Sequence, residues 1–244
     1  MAKTILILGS GSDIAKAIAR KFAGQGYAIQ LAGRKETQMK RLQKDLVNRF
    51  NTRVTCHPFD ATNFNSHATF VRDLPVLPDV AVYAAGAMAE QKEAEADWTK
   101  IKNMIEVNYM GAVSVINQLA SHFKERGTGC LVGISSVAGD RGRGSNYLYG
   151  STKAAFTAYL SGLRNQLDNK NIRVITVKPG FVYTKMTQHL DLPGLLTAKP
   201  QKVAGRIYRG VGKNKNVIYV KSIWRWIMLL IKVLPEAIFK KTNL

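Results

Sequence analysis

The 244-residue sequence has few cysteines, few acidic residues and no apolar run long enough to span a membrane. Its two cysteines, Cys56 and Cys130, cannot form a disulfide framework, so a disulfide-rich secreted fold is excluded and reduced thiols are expected. The first apolar run extends only from Ile5 to Leu8, which is too short for a signal peptide. We therefore expect the chain to remain on the cytoplasmic side of the membrane.

The shortage of acidic residues leaves a formal net charge of +20. Residues 192–244 contain eleven Lys/Arg but a single acidic residue, Glu236, and so carry about half of this excess. An anionic membrane surface, a phosphorylated ligand or nucleic acid would each explain such a charge. No RNP-like aromatic motif, helix-turn-helix pattern or Cys/His zinc spacing accompanies it. Nucleic acid is therefore disfavoured, and no metal site is predicted.

Short apolar runs alternate with segments of helical periodicity along most of the chain. The expected strands are residues 4–8, 27–33, 53–60, 80–86, 129–136, 172–180 and 216–220. The expected helices are residues 13–26, 35–50, 98–127 and 148–167. This alternation predicts parallel βαβ units with right-handed crossovers. The predicted fold class is α/β, a Rossmann-like doubly wound parallel sheet, with a single domain over 1–220 and a basic amphipathic C-terminal segment over 221–244.

A glycine-rich turn, LGSGSDIA, joins the first expected strand to the first expected helix. Backbone amides and a helix N-terminus can face a pyrophosphate at such a turn. The candidate cofactor contacts here are Gly9, Ser10, Ser12, Asp13 and Ile14. The alternative is an ordinary turn in which Ser12 or Asp13 caps the helix. The Asp13 carboxylate would repel a pyrophosphate unless it caps the helix amides and leaves other N–H groups for the phosphates.

The end of the second expected strand indicates which dinucleotide the turn would accept. An acidic residue at this point hydrogen-bonds the ribose 2′-hydroxyl of NAD, whereas the sequence here is LAGRK. Arg34, reinforced by Lys35, suits a 2′-phosphate because its guanidinium is planar and permanently charged. We therefore expect NADP(H) in preference to NAD(H), with a solvated Arg34 as the alternative. Asp60, followed by Ala61, is expected either to accept a hydrogen bond from the adenine amine or to cap a helix.

The segment ISSVAGDRGRGSNYLYGSTKAA contains a candidate catalytic group. Tyr149 and Lys153 are four residues apart on an expected helix and therefore share a face. Tyrosine has an ordinary pKa of about 10, which a nearby ammonium lowers. Tyr149 could then donate a proton to a carbonyl oxygen as hydride reaches the carbon, while Ser136 hydrogen-bonds the same oxygen. A Tyr-x-x-x-Lys pair alone is commonly an amphipathic helix face, so the combination with Ser136 and the glycine turn is what favours catalysis.

Together these motifs resemble those of the short-chain dehydrogenase/reductase family over almost the whole chain. The resemblance implies an NAD(P)H-dependent oxidoreductase acting on a hydroxyl or carbonyl group, with Ser136, Tyr149 and Lys153 as its catalytic residues. It also implies that Asn108, in EVNYMG, supports the lysine through water. Further cofactor contacts match Ala85, Gly86, Pro179, Gly180, Val182 and Thr184. The turn and the YAAG segment depart from the family patterns TGxxxGxG and NNAG.

A narrower resemblance connects GSGSDIA, NYMGAVSV, GDRGR and the IFKK ending with a membrane-associated subgroup, the decaprenylphosphoryl-2-keto-erythro-pentose reductases. It implies reduction of a 2-keto-pentose on a polyprenyl phosphate, after a flavin-dependent oxidase partner has made the ketone from the ribose form. Arg141 and Arg143 are candidates for the substrate phosphate, or they belong to a solvated loop. A carbonyl or sugar reductase acting on a soluble substrate is the alternative. The family resemblance also implies a homo-oligomer.

The segment IWRWIMLLIKVLPEAIFKK, residues 223–241, combines tryptophans, aliphatic residues and cations. Its apolar run from Trp226 to Ile231 is far shorter than the roughly 20 residues of a membrane-spanning helix. As a helix, the segment has a wide apolar face and flanking cations, which suits an anionic lipid interface, and Pro235 ends or kinks it. We expect peripheral attachment to the inner face of the cell membrane. Packing on the fold or between subunits is the alternative.

Overall fold

In a computed structural model that describes residues 2–188 and 191–242, seven parallel strands form one sheet with helices on both faces. The strands are β1 (Thr4–Leu8), β2 (Ala28–Gly33), β3 (Val54–Pro58), β4 (Val80–Tyr83), β5 (Gly129–Ile134), β6 (Ile172–Pro179) and β7 (Val217–Val220). The helices are α1 (Asp13–Ala23), α2 (Glu36–Phe50), α3 (His67–Arg72), α4 (Gln91–Ala96), α5 (Trp98–Ile105), α6 (Gly111–Arg126), α7 (Tyr147–Leu167), α8 (Pro200–Gly212), α9 (Ile223–Val233) and α10 (Glu236–Phe239). The predicted α/β fold class is confirmed.

The strand order is β3-β2-β1-β4-β5-β6-β7, and each neighbouring pair is parallel. The chain winds outward from β1 to β3 and then returns to pair β4 with the other side of β1. Ligands of open α/β sheets bind outside the carboxyl ends of the strands at such a switch point. The glycine turn after β1 and the loop after β4 both lie there. The topology therefore predicts where the functional cleft lies.

The helix expected over residues 98–127 contains an insertion. Helices α5 and α6 are joined by a π-helical segment, Glu106–Met110, and Asn108 within it is fully buried. Single π-helical turns inside α-helices frequently occur at functional sites. Helices α3, α4 and α8 are additional to the predicted set. Helix α8 packs against α1, because Val203 and Ile207 share one core cluster with Ile18.

The C-terminal segment forms α9 and α10, which are separated at Pro235. Trp224, Met228 and Ile231 are buried in a small cluster with Phe239, so one face of α9 packs on the fold. The other face is exposed. Among the described residues, no helix has the length and apolarity needed to cross a membrane. Asn243 and Leu244, the end of the predicted segment, lie outside the described residues.

Candidate active site

The glycine turn after β1 lies directly against the loop after β4. Gly9 has a φ of 84°, and a Cβ placed on it would lie 2.5 Å from the backbone nitrogen of Ala85. Only glycine tolerates both this backbone conformation and this close approach. Ser12 caps α1, because its Oγ accepts a hydrogen bond from the N–H of Ala15 at 3.1 Å. The turn therefore forms a close-fitting backbone cradle at the N-terminus of a helix, as anion binding requires.

Asp13 does not cap the helix amides. Its Oδ2 accepts a hydrogen bond from the backbone N–H of Lys185 at 2.9 Å, and its Oδ1 lies 3.6 Å from the Nζ of Lys16. The carboxylate therefore connects α1 to the loop after β6. Because Ser12 is the cap, the predicted alternative of an Asp13 cap is wrong. The ammonium group of Lys16 partly neutralises the Asp13 carboxylate beside the turn.

A cavity of about 300 Å3 extends from this turn along the ends of β2 and β3. It is lined by the predicted cofactor contacts Gly9, Ser10, Ser12, Arg34, Asp60, Ala61, Ala85 and Gly86. Ser10 is buried, and its Oγ has no hydrogen-bond partner among the described residues. Arg34 and Lys35 are exposed in the lining. An orphaned buried hydroxyl, a glycine cradle and two cations fit a phosphorylated dinucleotide.

Asp60 stabilises a turn after β3. Its Oδ1 accepts hydrogen bonds from the N–H and the hydroxyl of Thr62, at 3.0 and 2.9 Å. The alternative of a helix cap is therefore wrong. Burial pushes the pKa of Asp60 upward, but the hydrogen bonds from Thr62 and the positive charge of Arg34 outweigh burial and lower that pKa. Asp60 is thus an ionised acceptor in the cavity lining, and its contact with adenine stays a prediction.

A second cavity, of about 370 Å3, adjoins the first, and both are lined by Gly11, Ser12 and Gly86. It is lined by the predicted residues Asp13, Ile14, Ser136, Arg143, Tyr149, Lys153, Pro179, Gly180, Val182 and Thr184. The carboxyl ends of β5 and β6 supply several of these residues, because adjacent parallel strands end at the same edge of the sheet. The structure therefore brings the expected catalytic residues and the expected nicotinamide contacts together.

The geometry distinguishes between the two serines that follow β5. Ser135 is buried, and its Oγ contacts the backbone oxygen of Lys153 and the hydroxyl of Thr157, at 3.0 and 2.7 Å. Ser136 instead lines the cavity and hydrogen-bonds Tyr149. The choice of Ser136 over Ser135 as the candidate agrees with these contacts.

Burial acts strongly on Tyr149 and Lys153. It raises the pKa of Tyr149 to about 12, although the hydrogen bond with Ser136 opposes the shift. It lowers the pKa of Lys153 to about 8. The Lys153 Nζ donates to the backbone oxygen of Ile134 at 3.1 Å and lies 5.7 Å from the centre of the Tyr149 ring. The expectation that Lys153 brings the pKa of Tyr149 below its ordinary value is wrong, because desolvation is the largest influence on that pKa and raises it.

Asn108 connects two parts of the site. Its Oδ1 accepts from the N–H of Ala87 at 2.9 Å, and its Nδ2 donates to the oxygen of Ala87 and to the hydroxyl of Thr152, at 2.8 and 3.0 Å. Thr152 precedes Lys153 on α7. The π-helical segment thus directs a buried amide that positions the loop after β4 against the catalytic helix. The expected water-mediated link from Asn108 to Lys153 stays a prediction.

Arg141 contacts the C-terminal segment and not the cavity. Its guanidinium donates to the backbone oxygens of Ile231 and Leu234, at 2.5 and 2.6 Å, and pairs with Glu236 at 2.8 Å. It also lies 3.8 Å from the centre of the Phe239 ring. The assignment of Arg141 to a substrate phosphate is therefore wrong, because Arg141 does not line the cavity and its guanidinium is held by the end of α9 and by Glu236.

Arg143 does line the second cavity. Its Nε is buried without a hydrogen-bond partner among the described residues, and burial lowers its pKa. Two further residues of this lining, Asn146 and Trp224, were not predicted. The Asn146 Oδ1 is likewise buried without a partner. The sequence around Asn146 gives no recognisable signal of this position. The tryptophans of the C-terminal segment could have suggested that Trp224 packs against the substrate cavity.

Comparison with known proteins identifies the family. A sequence model of the short chain dehydrogenase family matches residues 3–193. An uncharacterized oxidoreductase of Mycobacterium tuberculosis is 31% identical, with 98% of this chain and 97% of that protein covered. Among solved structures, a short-chain dehydrogenase from Sphingobium yanoikuyae in complex with NADPH has a TM-score of 0.82 at 22% identity, covering 96% of this chain and 97% of that one. A 3-oxoacyl-(acyl-carrier protein) reductase from Brucella melitensis with bound NAD has a TM-score of 0.79 at 20% identity, covering 89% of each chain.

The family model matches most of the chain, and the Mycobacterium tuberculosis relative matches nearly all of it. The chain therefore belongs to the short chain dehydrogenase family, and the prediction of an NAD(P)H-dependent oxidoreductase is confirmed.

Proposed function

We propose that the protein reduces a ketone with NADPH, and that its substrate is the 2-keto group of a pentose carried on a polyprenyl phosphate. The observation that carries the reaction type is the junction of the two cavities, where Ser136, Tyr149 and Lys153 lie beside the glycine cradle. The glycine cradle, Arg34 and Lys35 would hold NADPH in this cleft, and the bound cofactor would supply the hydride. All other steps belong to side chains of the protein.

Tyr149 is the proton donor in this mechanism. Its phenol transfers a proton to the carbonyl oxygen as the carbon accepts hydride, so the C=O group becomes a secondary alcohol. A pKa of about 12 keeps the phenol protonated at neutral pH, which is the form needed for reduction. Ser136 hydrogen-bonds the same oxygen. Lys153, with a pKa of about 8, is still cationic at neutral pH and stabilises the phenolate that remains.

The preference for NADP(H) over NAD(H) rests on Arg34 and Lys35. One structural neighbour contains NADPH and another contains NAD, so the shared fold is compatible with either cofactor. In this chain, two exposed cations line the first cavity at the end of β2. A guanidinium with an additional ammonium favours a 2′-phosphate over a bare hydroxyl.

Two observations support an anionic, lipid-linked substrate. Arg143 presents a buried, unpartnered Nε in the lining of the cavity that contains Tyr149. A buried donor of this kind favours a ligand that supplies an acceptor oxygen, such as a phosphate diester. The exposed apolar face of α9 lies on the same helix whose Trp224 lines that cavity. A polyprenyl chain beside this helix would remain in an apolar environment.

Further proposals follow from this choice of substrate. A flavin-dependent oxidase would form the ketone that this enzyme reduces, and the pair would convert the ribose form of the lipid-linked sugar to the arabinose form. The enzyme would act as a homo-oligomer on the cytoplasmic face of the membrane. The alternative is a carbonyl or sugar reductase with a soluble substrate. The contacts of Arg141 and Trp224 favour this alternative, because they give the C-terminal segment a packing role.

The test is NADPH oxidation by purified protein in detergent micelles. The substrates are a short-chain polyprenyl-phosphoryl 2-keto-pentose and the same sugar phosphate without its lipid. We expect turnover with the lipid form and little with the other. Arg143→Gln should raise KM for the lipid form about 10-fold or more, whereas Arg72→Gln, at an exposed arginine, should not. Equal turnover of both substrates would favour the soluble alternative, and turnover of neither would refute the pentose proposal.

A further inference from the structure

A third cavity, of about 360 Å3, lies beside the edge strand β7, between the C-terminal half of α8 and the start of α9. Its lining contains five cations, Arg206, Arg209, Lys213, Lys215 and Arg225, and no acidic residue. Within the described part of the chain, none of the five has an acidic side chain at ion-pairing distance. Five like charges around one concave surface repel each other, and a bound anion relieves that repulsion.

Two of these cations have guanidinium groups that are held by backbone oxygens. Arg206 donates from Nη2 to the backbone oxygen of Tyr219, and Arg209 donates from Nε to that of Gly205, each at 3.3 Å. Each guanidinium has five N–H donors, so further donors are available to a ligand. Guanidinium and ammonium groups converging on one concavity match the oxygens of a phosphate group.

The exposed apolar face of α9 begins at the rim of this cavity. Ser222 and Arg225 line the cavity, and the side chains of Ile223 and Trp226 beside them are exposed. The exposed face continues along the helix and beyond it through Leu229, Leu230, Val233 and Ile238. A contiguous apolar surface flanked by cations indicates a binding surface and not a solvated helix face.

We propose that the cationic cavity and the exposed face of α9 form a membrane-docking surface. An anionic phospholipid headgroup occupies the cavity, and the apolar side chains of α9 enter the boundary between headgroups and acyl chains. Charge complementarity selects this occupant. Nucleic acid would match the cations but not the aliphatic face, and a second copy docked by a two-fold axis would bring five more cations against the first five.

Docking in this orientation brings the active site close to the bilayer. Trp224 projects from the opposite face of α9 and lines the cavity that contains Tyr149. A helix with its side chains is roughly 10 Å across, so the catalytic cavity would lie about one helix diameter from the lipid. This consequence for a lipid-linked substrate rests on the proposed function, whereas the docking surface itself does not.

Sedimentation of the full chain with vesicles tests the cationic part. The vesicles contain phosphatidylcholine alone or phosphatidylcholine with phosphatidylglycerol. The triple variant R209Q/K213Q/K215Q should bind the anionic vesicles on the order of 100-fold more weakly than the wild type, since each surface cation contributes about fivefold. The control is K40Q/R41Q/K44Q, which removes one arginine and two lysines from the exposed face of α2 and should retain near wild-type binding. Equal loss in both triple variants would overturn the cavity assignment.

A second pair of variants tests the apolar part. W226S/L230S should lose most vesicle binding while keeping the wild-type circular dichroism spectrum, because both side chains are exposed. The control is W98S/L195S, in which Trp98 is 67% exposed against 66% for Trp226. Equal binding of the wild type to both vesicle types, or to neither, would overturn the proposal.

The other occupants give different results. Self-association that W226S/L230S abolishes in sedimentation velocity, without vesicle binding, would identify a second copy and overturn membrane docking. Duplex DNA binding that is insensitive to W226S/L230S, again without vesicle binding, would identify nucleic acid. Vesicle binding needs no substrate, so failure of the proposed reductase activity and failure of docking are separate results.

Discussion

At Tyr149 and Lys153, desolvation acts in opposite directions on two neighbouring groups. It favours the neutral form of each, so the pKa of the phenol rises to about 12 and that of the ammonium falls to about 8. At neutral pH the phenol therefore retains its proton and the lysine retains its charge. These are the forms needed to donate a proton and then to stabilise the phenolate. The reverse reaction, alcohol oxidation, requires phenolate at the outset and is disfavoured at neutral pH.

Removal of the Tyr149 hydroxyl tests the proton-donor role. Tyr149→Phe should reduce turnover about 100-fold or more, because general acid catalysis contributes roughly 100- to 10,000-fold. NADPH affinity, measured by fluorescence titration, should change little. The matched control is Tyr147→Phe, two residues earlier on α7, where the hydroxyl contacts the exposed Glu95. If Tyr149→Phe keeps near wild-type turnover, Tyr149 is not the acid.

The buried Lys153 should make stability depend on pH. Between about pH 8 and pH 10.5, the folded protein has released a proton that the unfolded chain still holds at this lysine. The free energy of unfolding should therefore rise through this window, with a slope of up to about 1.4 kcal/mol per pH unit from this group. Tyr149 has the opposite effect: because its pKa is raised in the folded protein, it makes the free energy of unfolding fall as the pH rises. This effect begins only above its ordinary pKa of 10.

Urea unfolding at several pH values between about 8 and 10 measures this linkage. Lys153→Met should remove the lysine contribution, so the difference in stability between wild type and variant changes with pH. Lys170→Met, at an exposed lysine on the surface, should keep the wild-type slope. A constant difference between wild type and Lys153→Met across this range would contradict the buried-lysine account.

Arg34 provides the test of cofactor choice. Arg34→Ala should weaken NADPH binding about 10- to 100-fold, because it removes charge-assisted hydrogen bonds to the 2′-phosphate. NADH binding should change little. Arg41→Ala, at another exposed arginine nearby in sequence, should leave both affinities unchanged. An equal loss for both cofactors would mean that Arg34 does not read the 2′-phosphate.

At the scale of elements, the C-terminal helices depend on the loop after β5. Arg141, from that loop, donates to the carbonyl groups at the end of α9 and pairs with Glu236 at the start of α10. A helix C-terminus leaves its last carbonyl groups without intrahelical donors, and the guanidinium supplies them. Gly180 packs closely against the start of α9. A Cβ at this position would lie 2.0 Å from the ring nitrogen of Trp224.

Arg141→Ala should loosen this end of the chain without unfolding the sheet. Loss of the charged hydrogen bonds should lower the local stability of α9 and α10 by about 2 kcal/mol. Hydrogen exchange across residues 223–239 should therefore accelerate about 30-fold, while β1 and β5 remain protected. Arg143→Ala, in the same loop, should leave exchange of α9 unchanged. Unaltered exchange in Arg141→Ala would show that packing of Trp224 and Met228 alone holds the segment.

Over the whole molecule, the sequence predicted what depends on local pattern. Strand and helix alternation predicted the parallel sheet, and the spacing of Tyr149 from Lys153 predicted a shared helix face. The partners of individual side chains were harder to predict from the sequence, because they depend on residues distant in the chain. Arg141 resembled a substrate cation in its glycine-rich loop, yet its partners lie some ninety residues later in the sequence.

The burial of individual side chains could not be predicted from the local sequence pattern either. The expected fall in the pKa of Tyr149 followed from a charge four residues away, whereas the actual rise follows from the fold around it. The C-terminal segment likewise presented two alternatives, lipid contact or packing. In the structure Trp224 and Trp226, two residues apart, lie on different faces, one buried and one exposed. Periodicity locates an apolar helix but cannot assign each side of it to a neighbour.

The most direct measurement follows the hydride itself. The purified protein is incubated with NADPH deuterated at the transferable position of its nicotinamide, together with the polyprenyl-phosphoryl 2-keto-pentose or with a water-soluble ketone. The product alcohols are analysed by mass spectrometry. We predict one deuterium at the former carbonyl carbon of the lipid-linked sugar, and about 100-fold less labelled product in the same time when Tyr149→Phe replaces the wild type. Absence of deuterium from every product of the wild-type protein would contradict ketone reduction as its function.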